Sequence, residues 1–261
     1  MKGGLIKMDK YETIKHQTKF GRLNEEVEKF KMFGGEFSED HKYWNNMQRI
    51  IAEGRSPMTI NQIMERRLDL RFSDDKQLRK NWDYGFNTSD GLIYSPNGDL
   101  IIAHDADVLR EISSEEEISK DDGSYGWLVL ENSNLDNIEG VKFSRSQLEG
   151  MIIRDSLTRN QAINHPIWQA VAREENYLLK SYVDMVFGDH AIGVFGHPVT
   201  EHMMVSLDSN PSMCDTPSPQ ENSVILPLLI NEQERRPNIK ASNLGRDCSP
   251  LIGIAPDRDE D

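Results

Sequence analysis

A chain of 261 residues with 37% hydrophobic and 28% charged side chains can bury one large core or two smaller ones, so wholesale disorder is excluded. No run approaches the roughly 20 consecutive apolar residues of a bilayer-spanning helix. The start, MKGGLIKMDKYE, lacks the apolar stretch of a secretory signal, so a cytoplasmic protein with no membrane partner is expected. The net charge of −14 lies beyond residue 104: residues 1–40 are neutral, 41–104 carry +1, 105–155 carry −8 and 156–261 carry −7. That imbalance repels nucleic acid from the second part and leaves only the first part as a possible contact for it.

In chain order, Asp9 and Glu12 have capping-box spacing, and Phe20, Leu23, Val27 and Phe30 recur at helical steps before Gly34 and Gly35. A second helix over about 38–53 carries the stripe Tyr43, Trp44, Met47, Ile50 and Ile51 and stops at Gly54. Thr59 and Gln62 open a third over about 59–70, and a weaker helical piece covers about 74–84. Residues 91–103, GLIYSPNGDLIIA, read as a β-hairpin, since Pro96 presets a turn and Asn97-Gly98 tolerates positive φ. Asp105 is expected to cap a short helix over 106–112. Residues 113–124, SSEEEISKDDGS, form an acidic linker.

Beyond it, residues 125–131 (YGWLVLE) predict a buried strand and 141–143 another. Ser144 with Gln147, and Thr158 with Gln161, repeat the capping-box spacing. His165 precedes Pro166, so one helix ends there and another restarts with proline in its first turn and Trp168 in its core. Leu178, Leu179, Tyr182, Val183, Val186 and Phe187 mark a further helix. Strands follow at 191–196, 202–207, 223–230 and 250–255, with Pro227 favouring an edge position for the third, and DRDED is an acidic tail. This order lacks regular strand–helix alternation, so the class is α+β with mainly antiparallel strands. The expected partition is a helical unit with hairpin (1–112), the linker, an acidic α+β region (125–256) and the tail (257–261).

Short catalytic motifs are absent: there is no phosphate-binding glycine loop, no G-x-S-x-G elbow and no H-E-x-x-H helix. Cys214 and Cys248 stand 34 residues apart and read as free thiols. The densest group of metal-ligand types is Asp189, His190, His197, Glu201 and His202, but Pro198 and the three-residue spacing in HPVTEH break a zinc-helix pattern. His104, Asp105 and Asp107 form a second acidic group, read as helix-cap chemistry rather than a magnesium site. Helix, turn, two helices and a hairpin over 38–103 is also the element order of a winged helix, with Arg66, Arg67, Arg71, Lys76, Arg79 and Lys80 as its basic candidates. A local charge near zero argues against nucleic acid as the partner. The leading expectation is a non-enzymatic binding or regulatory protein acting through protein contacts, with no cofactor. The alternatives are a metal-dependent hydrolase using the Asp189–His202 group and a winged-helix-like nucleic-acid-binding regulator.

Overall fold

The structure, a computed structural model, describes residues 29–34, 42–70, 85–120, 126–130, 135, 138–149, 151, 156–187, 203–206, 222–233, 236–242, 244 and 249–256. Its strands are β1 (Phe30–Phe33), β2 (Ser56–Pro57), β3 (Phe86–Tyr94), β4 (Leu100–Ala103), β5 (Ser119–Lys120), β6 (Gly126–Leu130), β7 (Gly140–Phe143), β8 (Ser156–Leu157), β9 (Met203–Ser206), β10 (Ser223–Gln233), β11 (Arg236–Ala241) and β12 (Leu251–Ile254). Its helices are α1 (Tyr43–Ala52), α2 (Ile60–Leu70), α3 (Asp107–Arg110), α4 (Arg145–Glu149), α5 (Arg159–Asn164), α6 (Pro166–Val171) and α7 (Asn176–Phe187). The class is α+β with mainly antiparallel strands.

Local chemistry sets several helix starts. Thr59 N–H donates to Gln62 Oε1 at 3.0 Å, Ser144 N–H to Gln147 Oε1 at 2.8 Å and Thr158 N–H to Gln161 Oε1 at 2.9 Å; the boxes at Ser144 and Thr158 close reciprocally, whereas the Thr59 hydroxyl turns to the Asn61 and Gln62 side chains. His165 Nδ1 accepts the Ile167 N–H at 3.3 Å, and Pro166 occupies the first turn of α6. On α1, Tyr43, Met47 and Ile50 are buried as the stripe predicts, whereas Ile51, one step round, is 41% exposed.

The predicted hairpin forms as β3 and β4, in register from Gly91↔Ala103 to Tyr94↔Leu100. Gly98, at φ 85, donates its N–H to Ser95 O at 2.9 Å in the turn. The hairpin is not a wing. It lies inside a nine-stranded sheet of order β7-β4-β3-β10-β11-β9-β8, with β6 joined to β10 and β5 to β6. A wing leaves its strands available to a DNA backbone, and here β3 is enclosed between β4 and β10. A smaller sheet, β1-β12-β2, joins the first described strand to the last.

The division at 113–124 therefore does not divide the core. Strand β10 pairs with β3, and β12 with β1 and β2, across the expected boundary. Alternation along the sheet feeds two apolar clusters. Leu92, Tyr94, Val224 and Leu226 pack against α2 and α5–α7, whereas Ile93 and Ile225 pack with Tyr43, Met47, Leu109 and Leu251. A sheet buried on both faces needs elements from both halves of the chain to cover it.

Three further expectations are corrected. Phe30 starts strand β1 rather than lying on a helix face, and its ring sits 3.9 Å from the Arg66 guanidinium. Strand β6 is only partly buried, with Val129 43% exposed, because it pairs with β10 over just the three residues Ser223–Ile225. Strand β10 is interior despite Pro227. The Pro227 carbonyl accepts the Ser242 N–H at 2.8 Å, so the side lacking an N–H faces the gap between the stretches paired to β6 and to β11. The register to β3 shifts at the same point, and a bulge tolerates proline where a regular ladder does not. The helices expected over residues 9–28 and 74–84 and the strand at 191–196 lie outside the described residues.

Candidate functional site: a buried carboxylate and the cleft beside β7

The first half of β3 is polar and wholly inside: Asn87, Thr88, Ser89 and Asp90 are at most 1% exposed. Such burial is tolerable only when most of the groups are satisfied, and here all the side-chain polar atoms but Asn87 Oδ1 and Ser89 Oγ find partners among the described residues. Asn87 donates its N–H to Pro250 O at 2.9 Å and its Nδ2 to Ser249 O at 3.0 Å. Thr88 Oγ1 donates to Leu228 O at 2.8 Å, and Tyr43 donates its hydroxyl to Thr88 O at 3.0 Å. Ser89 N–H donates to Met58 O at 3.1 Å, and Ser89 O accepts the Ala106 N–H at 2.8 Å. Beyond the end of β4 the open side of β3 is thus occupied by the heads of α2 and α3.

Asp90 ties these pieces together. Its Oδ2 accepts the Ile60 N–H at 2.7 Å, satisfying the head of α2, and its Oδ1 accepts the Asp105 N–H at 3.0 Å. Arg173 Nη2 stands 3.7 Å from Oδ1. Burial pushes the Asp90 carboxyl above its ordinary range, opposed by the two backbone N–H groups and by Arg173 and His104. Burial, with the nearby Asp90 and Asp105 charges, likewise raises the Tyr43 phenol well above its usual value, against the pull of Arg110.

Around it, Asp105 pairs with Arg110, and Asp107 lies 3.5 Å from the same guanidinium. Asp105 does not cap α3: it adopts φ 50, and Ala106 takes the cap position without a side-chain bond. His104 sends Nε2 to within 2.9 Å of Ala170 O. The acidic group at 104–107 is therefore spent on ion pairing and loop closure. The described non-glycine residues at positive φ are Asp105, Arg173 and Glu174, and Asp105 and Arg173 both touch Asp90. Strain concentrated on one group is held by the contacts that over-determine it.

Next to this knot, an open cleft of about 310 Å³ lies between β7 and the α6–α7 corner. Val141 and Phe143 line one wall, Pro166, Gln169 and Ala170 the other, and Glu174 and Asn176 the rim. The His104 contact to Ala170 anchors the far wall to β4. Strand β7 ends the sheet order. Glu139 O accepts the His104 N–H at 2.8 Å, so alternation turns the backbone groups of residues 141 and 143 toward β4 and those of Gly140 and Lys142 outward. Among the described residues, no strand pairs with that outer edge.

Arg66 and Arg67, expected as phosphate contacts, are buried. Arg66 stacks on Phe30, and Arg67 Nη1 donates to Tyr182 OH at 2.8 Å, so both serve packing between α2 and its neighbours. Arg71, Lys76, Arg79 and Lys80 lie outside the described residues, as do Asp189, His190, His197, Glu201 and His202 and both cysteines. Among the described residues, no three His, Cys, Asp or Glu side chains are grouped to hold a metal ion. No described helix is long and apolar enough to cross a membrane. Asp90 and the cleft residues were not visible in the sequence. The one available signal was a polar NTSDG run leading directly into a strong hairpin strand.

No family model matches the chain, and no curated protein matches it. A solved structure from a study of the "accommodation of massive sequence variation in Nanoarchaeota by the C-type lectin fold" is similar, with a TM-score of 0.58 and 10% identity over 86% of this chain and 97% of that one. At that identity the likeness is one of fold: the chain has an α+β architecture of the C-type lectin kind.

Proposed function

We propose that the protein is a non-enzymatic binding protein that works through protein contacts at the cleft between β7 and the α6–α7 corner. The observation that carries this reading is the pairing of an open, mixed polar and apolar cleft with a rigid knot behind it. The Asp90 carboxylate, whose carboxyl burial pushes up, is engaged by two backbone N–H groups and held away from solvent, which suits a fastener better than a proton carrier. The fold likeness supports the same reading, because the similar structure is described as accommodating massive sequence variation, and a scaffold that tolerates variation on its surface suits recognition.

The test is site-directed photo-cross-linking in the cell extract. A photoreactive amino acid at Asn176, on the cleft rim, is expected to give a discrete protein adduct that excess unlabelled protein suppresses. The same group at Glu53, at the far end of α1, is expected to give none. Identical adducts from both positions, or adducts only from position 53, would remove the cleft from consideration.

A further inference from the structure

We propose that the outer edge of β7 takes up an extended peptide as an added strand, with lysine or arginine side chains of that peptide entering the cleft beside Glu174. This rests on the reading of the cleft as a protein-contact site. Two independent features converge. The first is backbone: Gly140 and Lys142 present outward N–H and C=O groups, the template by which a strand is added to a sheet edge. In an added strand alternate side chains share one face, and on β7 the residues facing the cleft are Val141 and Phe143. A peptide there would drop every second side chain into the cleft.

The second feature is charge. Glu174 is the one charged side chain lining the cleft, and among the described residues no cation pairs with it. Partial burial, with the charges of its neighbour Glu175 and of Asp69 nearby, raises the Glu65 carboxyl on α2 above its ordinary range. Tyr177, 69% exposed in the first turn of α7, leaves an aromatic ring uncovered three residues along the chain from Glu174, a surface suited to an ammonium or guanidinium. Lys142 does not oppose a basic occupant from within the cleft. Its side chain belongs to the other face of β7 and is engaged by Asp99 at 2.9 Å.

The experiment titrates the full-length protein, followed by amide NMR, with a short blocked peptide alternating lysine and valine. Its controls are the same peptide N-methylated on the amides facing β7 and one with glutamate replacing lysine. The lysine peptide is expected to shift the amides of residues 140–143 and to bind the wild type. N-methylation should weaken it at least about tenfold through lost backbone hydrogen bonds. Glu174→Gln should weaken it roughly two- to fivefold, the range for one exposed ion pair. Lys142→Pro, which removes an outward N–H, should abolish binding, and the N-methylated peptide reports the same contact without altering the protein. Binding indifferent to methylation, equal binding of the glutamate peptide, or no shift at 140–143 with any peptide would overturn the proposal. If the peptides fail while position 176 still cross-links to a protein, strand addition is refuted and the broader reading stands. If that cross-link is also missing, both fall.

Discussion

Replacing Asp90 should cost more stability than any surface change, and the two natural replacements should differ. Asp90→Asn keeps the shape but substitutes an N–H₂ for one acceptor, so either the Ile60 or the Asp105 N–H faces another donor. One buried unsatisfied donor costs about 1–3 kcal/mol. Asp90→Ala strands both donors and leaves Arg173 facing an empty position, so about 3–5 kcal/mol is expected, the range for breaking a buried charged contact. A domain of this size typically has about 5–15 kcal/mol in total, so the alanine variant should be close to unfolding. Urea unfolding followed by tryptophan fluorescence reads both, with buried Trp168 as a reporter. The pH dependence gives a second handle. Burial raises the native carboxyl above its unfolded value, so the native state holds more protons in that window and its stability falls as pH rises through it. This contribution is complete below the unfolded value of about 3.9 and is lost as pH passes the raised native value. Asp90→Asn should lack it, so wild type should lose stability relative to the variant as pH climbs from about 4. If both variants unfold within about 0.5 kcal/mol of wild type, the carboxylate does not hold the heads of α2 and α3 and the knot is misassigned.

Other substitutions test the frame. Gly98→Val should cost about 1–2 kcal/mol or more, since Gly98 sits at φ 85 and a β-branched residue is strained there; a thermal melt checks it. A Cβ at Gly140 would lie 2.2 Å from the backbone oxygen of Ile102, so Gly140→Ala should push β7 from β4 and accelerate amide exchange at residues 141 and 143 while α1 stays protected. A fragment ending at residue 112 should show no cooperative melt by circular dichroism, because it lacks β10 and exposes Leu92 and Tyr94. A cooperatively folded fragment would restore the two-unit division.

Much of the local structure was legible because it is enforced locally. The Thr59–Gln62 cap, the capping boxes at 144 and 158, the His165-Pro166 break and the Asn97-Gly98 turn each involve groups a few residues apart, so their chemistry is written in adjacent letters. The apolar steps of α1 and α7 are likewise carried by helical period alone. The class α+β followed from the order of these pieces. What the pieces pair with was not legible. A polar run such as NTSD reads as loop until Leu228, Ser249, Met58 and Ala106 arrive from four other segments to bond the Thr88 hydroxyl, the Asn87 Nδ2 and the Ser89 backbone. Pro227 reads as an edge marker until two short partners share one side of β10 and leave a gap where its missing N–H does no harm. Arg66 and Arg67 read as surface cations until Phe30 and Tyr182 cover them. The cleft has no sequence signature, since β7, α6 and the 174–176 corner meet only when the sheet closes. Short-range hydrogen bonding and side-chain period were thus settled by the sequence itself. Burial, charge pairing and the exposed edge of β7 were decided by tertiary structure, because each depends on groups brought together from distant parts of the chain.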